Sequence, residues 1–170
     1  MNFVIGPCAI DSGTVTVPGD KSISHRALIL GAIADGPTNI SGLLVGDDCL
    51  GTLYALRSLG VKVDRTNTSE VVVHGVGLDG LQAPSDHIDL GNSGTAMRLF
   101  AGLLSGQSFP VVLGGDTSLS QRPMTRLIKP LVLMGGSIET QEGRAPLQMT
   151  GGCQLSGIVY RLPVASAQVK

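Results

Sequence analysis

The feature that most limits how this chain can fold is a repeat in which one order of sequence signals returns about every 72 residues. Short apolar runs lead into small polar turns at Gly19, Gly91 and Val164, and apolar residues at helical spacing follow the first two turns. Each unit predicts the order β-α-β-α-β-β. We therefore predict an α/β (or α+β) fold with two complete units and a third that contains only its first strand and turn.

The predicted elements follow from apolar spacing and from Gly and Pro punctuation. The first unit is expected to hold strands at 15–17, 38–43, 61–65 and 71–75, and helices at 24–34 and between Gly46 and Gly60. The second is expected to hold strands at 88–90, 110–113, 137–140 and 147–150, a helix at 93–104 and a helix with Pro123 at its first position. Pro130 is expected to kink or break that last helix, and a further strand is predicted at 159–163.

The charge balance limits the kinds of partner. The formal net charge is −1, from 12 Lys and Arg against 13 Asp and Glu, so a broad basic surface for nucleic acid is not expected. No phosphate-binding loop or dinucleotide fingerprint occurs, which argues against a nucleotide-binding protein. No signal peptide and no membrane-length apolar run is present, so we predict a cytoplasmic protein without membrane contact.

Isolated cysteine, histidine and aspartate residues do not form a predicted metal site. Cys8, Cys49 and Cys153 lack metal-ligand spacing, and we expect them to be reduced and mostly buried. His25 is expected to pack or cap a helix, and Asp47 is expected to be a helix N-cap. No catalytic residue is predicted within this chain.

The three repeated turns predict a site for an anion. A helix N-terminus presents free N–H groups and a positive dipole end, and Lys21 and Arg26 add full charge to the first turn. Arg122 ends the polar loop 114–123, where a guanidinium could clamp a carboxylate or phosphate. The alternatives remain that the Ser and Asn residues of the turns are ordinary N-caps and that the cations lie on a solvated face.

Four motifs of the chain resemble successive signatures of one enzyme family. Residues 18–26 (PGDKSISHR), 90–98 (LGNSGTAMR), 121–124 (QRPM) and 165–170 (ASAQVK) resemble those of the 5-enolpyruvylshikimate-3-phosphate synthases, in the same order. The resemblance implies the enolpyruvyl transferase fold. It also implies transfer of the enolpyruvyl group of phosphoenolpyruvate to the 5-hydroxyl of shikimate 3-phosphate, in the pathway to chorismate and the aromatic amino acids, without a metal or organic cofactor.

The resemblance also assigns binding roles to individual residues. For shikimate 3-phosphate it implies Lys21, Ser22, Arg26, Ser166, Ala167 and Gln168. For phosphoenolpyruvate it implies Lys21, Asn92, Gly94, Arg122 and Gln168. The herbicide glyphosate occupies the phosphoenolpyruvate site in this family, and Gly94 is the position at which an added methyl group would crowd it.

The family has two domains, and this sets the expected organisation of the chain. Residues 1–17 are expected to belong with the second domain, and 18–170 to form an incomplete substrate-binding domain. Its units are expected at about 18–86, 87–155 and 156–170. Because the acid–base groups of the family lie in the second domain, we expect a fragment or truncated chain without turnover of its own, from a full-length protein that is a monomer.

Two alternatives remain at this point. The related enolpyruvyl transferase that acts on UDP-N-acetylglucosamine shares the repeat, but usually carries a cysteine in the loop before Arg122, where residues 116–121 contain none. A non-catalytic repeat module used for binding or assembly would need no cations at the turns, so Arg26→Ala and Arg122→Ala would be silent in it.

Overall fold

The computed structural model describes residues 2–4, 6–7 and 12–170, and these contain five helices and seven strands. The helices are α1 (Lys21–Ala32), α2 (Asp47–Ser58), α3 (Gly94–Leu104), α4 (Thr117–Ser120) and α5 (Thr125–Leu133). The strands are β1 (Asp35–Ile40), β2 (Lys62–Arg65), β3 (Val71–Val76), β4 (Ile88–Asp89), β5 (Val111–Gly114), β6 (Ile138–Gln141) and β7 (Arg144–Met149). The mixed α/β class predicted from the sequence is confirmed.

The two sheets have the same internal order. The first is β1-β3-β2, with antiparallel neighbours. The second is β4-β5-β7-β6, in which β5, β7 and β6 take the places of β1, β3 and β2, and β4 pairs parallel to β5. The repeat inferred from the sequence therefore appears as two sheets of one topology.

One apolar core joins the two units. Leu28 of α1, Leu53 and Leu56 of α2, and Met97 and Phe100 of α3 are fully buried in a single cluster with the inward faces of both sheets. Each such side chain contributes about 1.5–3 kcal/mol through the apolar surface removed from water. This packing holds α1, α2 and α3 against one another. The N-termini of α1 and α3 follow the first and second polar turns, and the N-terminus of α2 lies beside that of α1.

Two predicted strands are wrong. Residues 15–17 and 159–163 are described, yet neither stretch forms a strand. Val15, Val17 and Val159 are exposed, and no described strand pairs with either stretch. An extended segment is stabilised by cross-strand partners and by burial of one face, so apolar composition alone did not suffice here.

Prolines account for three further differences. The strand predicted at 38–43 begins at Asp35, and it can include Pro37 because β1 is an edge strand. Pro123 does not begin a helix: Met124 is the N-cap and the helix begins at Thr125. Pro130 lies within α5 without breaking it, since only its own N–H is missing and its carbonyl still accepts from Met134 N at 3.0 Å.

Predictions for isolated polar and sulfur residues had mixed outcomes. Asp47 is the first residue of α2, not its N-cap; Gly46 takes that place without a side-chain hydrogen bond. Cys49 is buried and Cys153 is half-buried, both as free thiols, whereas Cys8 lies outside the described residues. No described group of three or more His, Cys, Asp or Glu side chains could hold a metal ion. No helix in the described ranges is both long and apolar enough to cross a membrane.

Candidate functional site

The first turn is fixed by a short hydrogen-bond network around Asp20. The Asp20 carboxylate accepts from Ile23 N at 2.8 Å and so caps α1. Ser24 Oγ donates to the Asp20 carbonyl at 2.7 Å and accepts from Leu44 N at 2.9 Å, which joins the helix start to the segment after β1. Lys21 and Ser22 remain exposed on this fixed helix end.

The two cations of the first turn have different partners. Lys21 forms an ion pair with Asp48 in the first turn of α2, with side chains 46% and 27% exposed. Arg26 Nη1 donates to the Ser22 carbonyl at 3.2 Å, which directs the guanidinium back toward the start of α1. Two cations therefore lie at one helix N-terminus, and only one of them has a carboxylate partner among the described residues.

A buried histidine lies one turn along α1. His25 is fully buried and its Nδ1 is 2.7 Å from Thr52 Oγ1 of α2, while its Nε2 has no hydrogen-bond partner in the described structure. Burial lowers the pKa of His25, and the positive charge of Lys21 lowers it further. Of the two expected roles, packing is confirmed and capping is wrong.

The second turn brings two guanidinium groups to one glycine. Ser93 caps α3 by accepting from Ala96 N at 3.2 Å, and Gly94 is the first, buried residue of that helix. A Cβ atom built on Gly94 would lie 2.9 Å from Arg98 Nη1 and 3.1 Å from Arg122 Nη1. The absence of a side chain at this position is what lets both arginines approach the helix start.

Arg122 is tied to the second turn through Asn92. Its guanidinium donates to Asn92 Oδ1, and Asn92 Nδ2 donates to Asp116 Oδ2 at 2.8 Å. Asp116 also caps α4 by accepting from Leu119 N at 2.7 Å. The Leu119 N–H and the Asn92 amide, with a smaller effect from the Arg122 charge, lower the pKa of the Asp116 carboxyl.

The third turn reaches the same helix start through Gln168. Gln168 Oε1 accepts from Arg98 Nη1 at 3.1 Å, and Gln168 Nε2 donates to Thr95 Oγ1 at 3.0 Å. Ser166 lies beside Gln168 and Arg98 along a surface cleft of about 280 Å³, and Ala167 is exposed.

The predicted residues thus form two neighbouring groups. Asn92, Gly94, Arg122 and Gln168 meet at the start of α3 through direct contacts. Lys21, Ser22 and Arg26 lie at the start of α1, and no hydrogen bond among the described residues joins the two groups. Helix α2 connects them, because its Asp48 holds Lys21 and a Cβ atom at its Gly51 would lie 3.9 Å from the Leu90 carbonyl oxygen, just before the second turn.

Comparison with known proteins shows which family this chain belongs to. The family described as EPSP synthase (3-phosphoshikimate 1-carboxyvinyltransferase) matches residues 9–170. The chain belongs to the EPSP synthase family. Because that match runs over nearly the whole chain, it covers all the turns described above.

Individual members of the EPSP synthase family are closely similar to this chain in sequence and in structure. The chain is 57% identical over its whole length to a 3-phosphoshikimate 1-carboxyvinyltransferase of Alkalilimnicola ehrlichii, and 52% identical over 99% of its length to that of Methylococcus capsulatus. It spans only 38% and 39% of those proteins. Among solved structures, the EPSP synthase of Acinetobacter baumannii matches 92% of this chain and 36% of its own, with 54% identity and a TM-score of 0.90.

Four residues of the site were not singled out from the sequence. Thr95 and Arg98 lie inside the second motif, and their positions one and four residues after Gly94 place them around the start of α3. Asp48 and Asp116 are carboxylates at helix starts. That position predicts capping or dipole compensation, and it does not predict Lys21 or Asn92 as a partner. The contacts of these residues depend on the tertiary packing, which local spacing does not specify.

Proposed function

We propose that this chain provides substrate-binding residues of a 3-phosphoshikimate 1-carboxyvinyltransferase. In that reaction the enolpyruvyl group of phosphoenolpyruvate passes to the 5-hydroxyl of shikimate 3-phosphate, and phosphate is released. The observation that carries the proposal is the meeting of Arg122, Asn92, Gly94 and Gln168 at the start of α3. Both substrates are anions, and this helix start combines a positive dipole end with two guanidinium groups, Arg98 and Arg122, that have no carboxylate partner within 4.0 Å among the described residues.

Phosphoenolpyruvate is proposed to bind at the α3 group. Arg122 supplies charge and a planar pair of donors for the carboxylate or phosphate, and Asn92 and Gly94 form the backbone wall beside it. Gly94 supports this role because a side chain there would meet the guanidinium groups of Arg98 and Arg122. Lys21 and Gln168 are proposed to contact this substrate from the first and third turns.

Shikimate 3-phosphate is proposed to bind across the first and third turns. Lys21, Ser22 and Arg26 face solvent or are half-exposed at the start of α1, where a phosphate or carboxylate could reach them. Ser166, Ala167 and Gln168 would lie along the same ligand. The Lys21–Asp48 ion pair supports this placement, because it keeps the ammonium group near the helix N-terminus.

The domain organisation predicted from the sequence remains part of the proposal. Residues 1–17 are proposed to belong with a second domain, and the exposed apolar side chains of Phe3, Val4, Val15 and Val17 support this assignment. Acid–base catalysis needs a group within hydrogen-bond reach of the moving proton, and we assign no such role to a residue of this chain. We therefore propose that the chain alone does not turn over.

The setting of the reaction is proposed from the net charge and the cysteine chemistry. The net charge of −1 supports small-molecule substrates over a nucleic acid partner. The free thiols of Cys49 and Cys153 support a reducing compartment, hence the cytoplasm. A monomeric full-length protein completes the proposal.

A hybrid enzyme tests the proposed function directly. This chain would replace the matching segment of the Alkalilimnicola ehrlichii relative, to which it is 57% identical, and phosphate release would be followed with both substrates. We expect activity, and we expect Arg26→Ala and Arg122→Ala each to lower kcat/KM by about 10- to 150-fold, the effect of losing a hydrogen bond to a charged group.

The matched control for that experiment is Arg65→Ala. Arg65 is an exposed arginine of β2 whose side chain donates to the Thr68 carbonyl. Its replacement by Ala removes the same positive charge as the two test variants. An active hybrid in which all three variants behave alike would contradict the proposed binding roles of Arg26 and Arg122.

A further inference from the structure

Arg98 makes contacts that the proposed function does not use. Its Nη1 atom donates to two neutral acceptors, the Gly94 carbonyl at 2.8 Å and Gln168 Oε1 at 3.1 Å. None of the ion pairs among the described residues includes Arg98, although its side chain is half-buried. A half-buried guanidinium without a carboxylate partner is costly, so its position calls for a role other than charge pairing.

The chemistry of these contacts fixes the orientation of an amide. A guanidinium only donates hydrogen bonds, so the Gln168 group facing Arg98 must be the oxygen. The nitrogen of the same amide then faces Thr95, where it donates to Oγ1 at 3.0 Å. Nε2 carries two N–H bonds and uses one of them in the described structure, which leaves the other available to a ligand.

We propose that Arg98 is a positioning residue that turns the N–H edge of the Gln168 amide toward the anionic substrate. This inference rests on the proposed function for the identity of that substrate. Without Arg98 the amide can rotate by a half turn and present its oxygen, which would repel a phosphate or carboxylate. Arg98 thereby links two parts of the site, since the same Nη1 atom holds the Gly94 carbonyl at the start of α3.

Double-mutant kinetics in the active hybrid test whether Arg98 acts through Gln168. The variants are Arg98→Met, Gln168→Ala and both together, assayed for kcat/KM and for the KM of phosphoenolpyruvate. We expect Arg98→Met to lower kcat/KM about tenfold or more, the loss of one donor to a charged group, mainly through KM. The double variant should be no slower than Gln168→Ala, because interacting positions do not add. Partial recovery is expected in Arg98→Lys.

The charge-matched control is Arg65→Met. Arg65 is an exposed arginine of β2 whose side chain donates to the Thr68 carbonyl, and it does not line the cleft beside Gln168. We expect a change below about twofold there, as is usual for an exposed surface position. Losses that multiply in the double variant, or an equal loss in Arg65→Met, would overturn the proposal.

A second measurement separates this inference from the proposed function. In the 170-residue chain, the side-chain amide protons of Gln168 can be followed by NMR without any ligand. We expect slow solvent exchange of the Gln168 Nε2 protons in the native chain and in Arg65→Met, and faster exchange in Arg98→Met. Unchanged solvent exchange in Arg98→Met would overturn the positioning role even if the hybrid is active. An inactive native hybrid would count against the proposed function instead.

Discussion

Arg122 donates a hydrogen bond to the side-chain oxygen of Asn92, which lies 30 residues earlier in the chain. The contact joins the loop before α5 to the turn before α3, and the side-chain nitrogen of Asn92 donates a second hydrogen bond to Asp116. Because Asn92 is neutral, Arg122 is held in place while its charge stays free for an anion. The free positive charge at the proposed phosphoenolpyruvate site therefore depends on the neutrality of Asn92.

Replacing Asn92 by Asp tests that dependence at almost constant size. The new carboxylate would form an ion pair with Arg122 and neutralise it, and it would also face Asp116. We expect kcat/KM for phosphoenolpyruvate in the hybrid enzyme to fall by about tenfold or more, as expected for the loss of a charged donor. Steady-state kinetics measure the change.

Asn39→Asp is the control for the added negative charge. Asn39 is exposed on β1 and is not part of the site. The Asn39→Asp variant should leave kcat/KM within about twofold of the native hybrid, as is usual for surface positions. Equal kinetics in Asn92→Asp and the native hybrid would show that Arg122 does not need a neutral partner.

Gly94→Ala should separate glyphosate from phosphoenolpyruvate. The added methyl group would lie 2.9 Å from Arg98 Nη1 and 3.1 Å from Arg122 Nη1, so both flexible side chains must move by a few tenths of an ångström. We expect the hybrid to bind glyphosate more weakly by a larger factor than it binds phosphoenolpyruvate, because the resemblance to the family implies that the inhibitor lies against Gly94. Inhibition constants and KM values for the two variants measure this, and an unchanged inhibition constant would count against it.

His25 should make the fold sensitive to mild acid. Burial and the charge of Lys21 hold its pKa below the usual 6.5, so the unfolded chain takes up a proton at a higher pH than the folded chain. The contribution of neutral His25 to the free energy of unfolding is fully present above about pH 6.5. It is lost as the pH falls from there through the pKa of the folded chain, at up to about 1.4 kcal/mol per pH unit. Asp48 opposes this shift and Arg26 adds to it.

Urea unfolding of the chain at pH 7.5 and pH 5.5 checks this prediction. Native chain should lose more free energy of unfolding over that interval than His25→Leu, which cannot take up the proton. In the native chain Thr52 Oγ1 also donates to the Asp48 carbonyl at 3.5 Å, a contact that does not involve His25. The same loss in both chains would mean that His25 does not titrate differently on folding.

Much of the fold was predictable from the sequence because each unit carries strong local signals. The start of α3 is an example, since Ser93 is a typical N-cap and the apolar spacing from Ala96 to Leu104 matches one buried helix face. Strand pairing was less predictable. Val159 belongs to an apolar run that resembles a strand, but a strand requires partners that a local pattern does not contain.

The motif residues of the candidate site could be predicted from the sequence, but the residues that hold them in place could not. Lys21 and Arg122 are recognisable because they stand in motifs that resemble those of a known family, whereas their charge and spacing alone left a solvated face as an alternative. Arg98 is not, because an arginine one turn inside a helix is ordinarily a surface residue, and only its contact with Gln168, 70 residues later, gives it a role. Asp48 is similar: its position predicts dipole compensation, whereas its partner Lys21 follows from how α1 and α2 pack.

We propose that the turns of this chain form a binding site for an anionic substrate. A titration of the chain with shikimate 3-phosphate, followed through backbone amide resonances and repeated with Arg26→Ala, tests this proposal. We expect saturable shifts around Lys21, Arg26 and Gln168 that Arg26→Ala abolishes. A well-dispersed spectrum that does not change on addition of the ligand, or equal shifts in both chains, would contradict it.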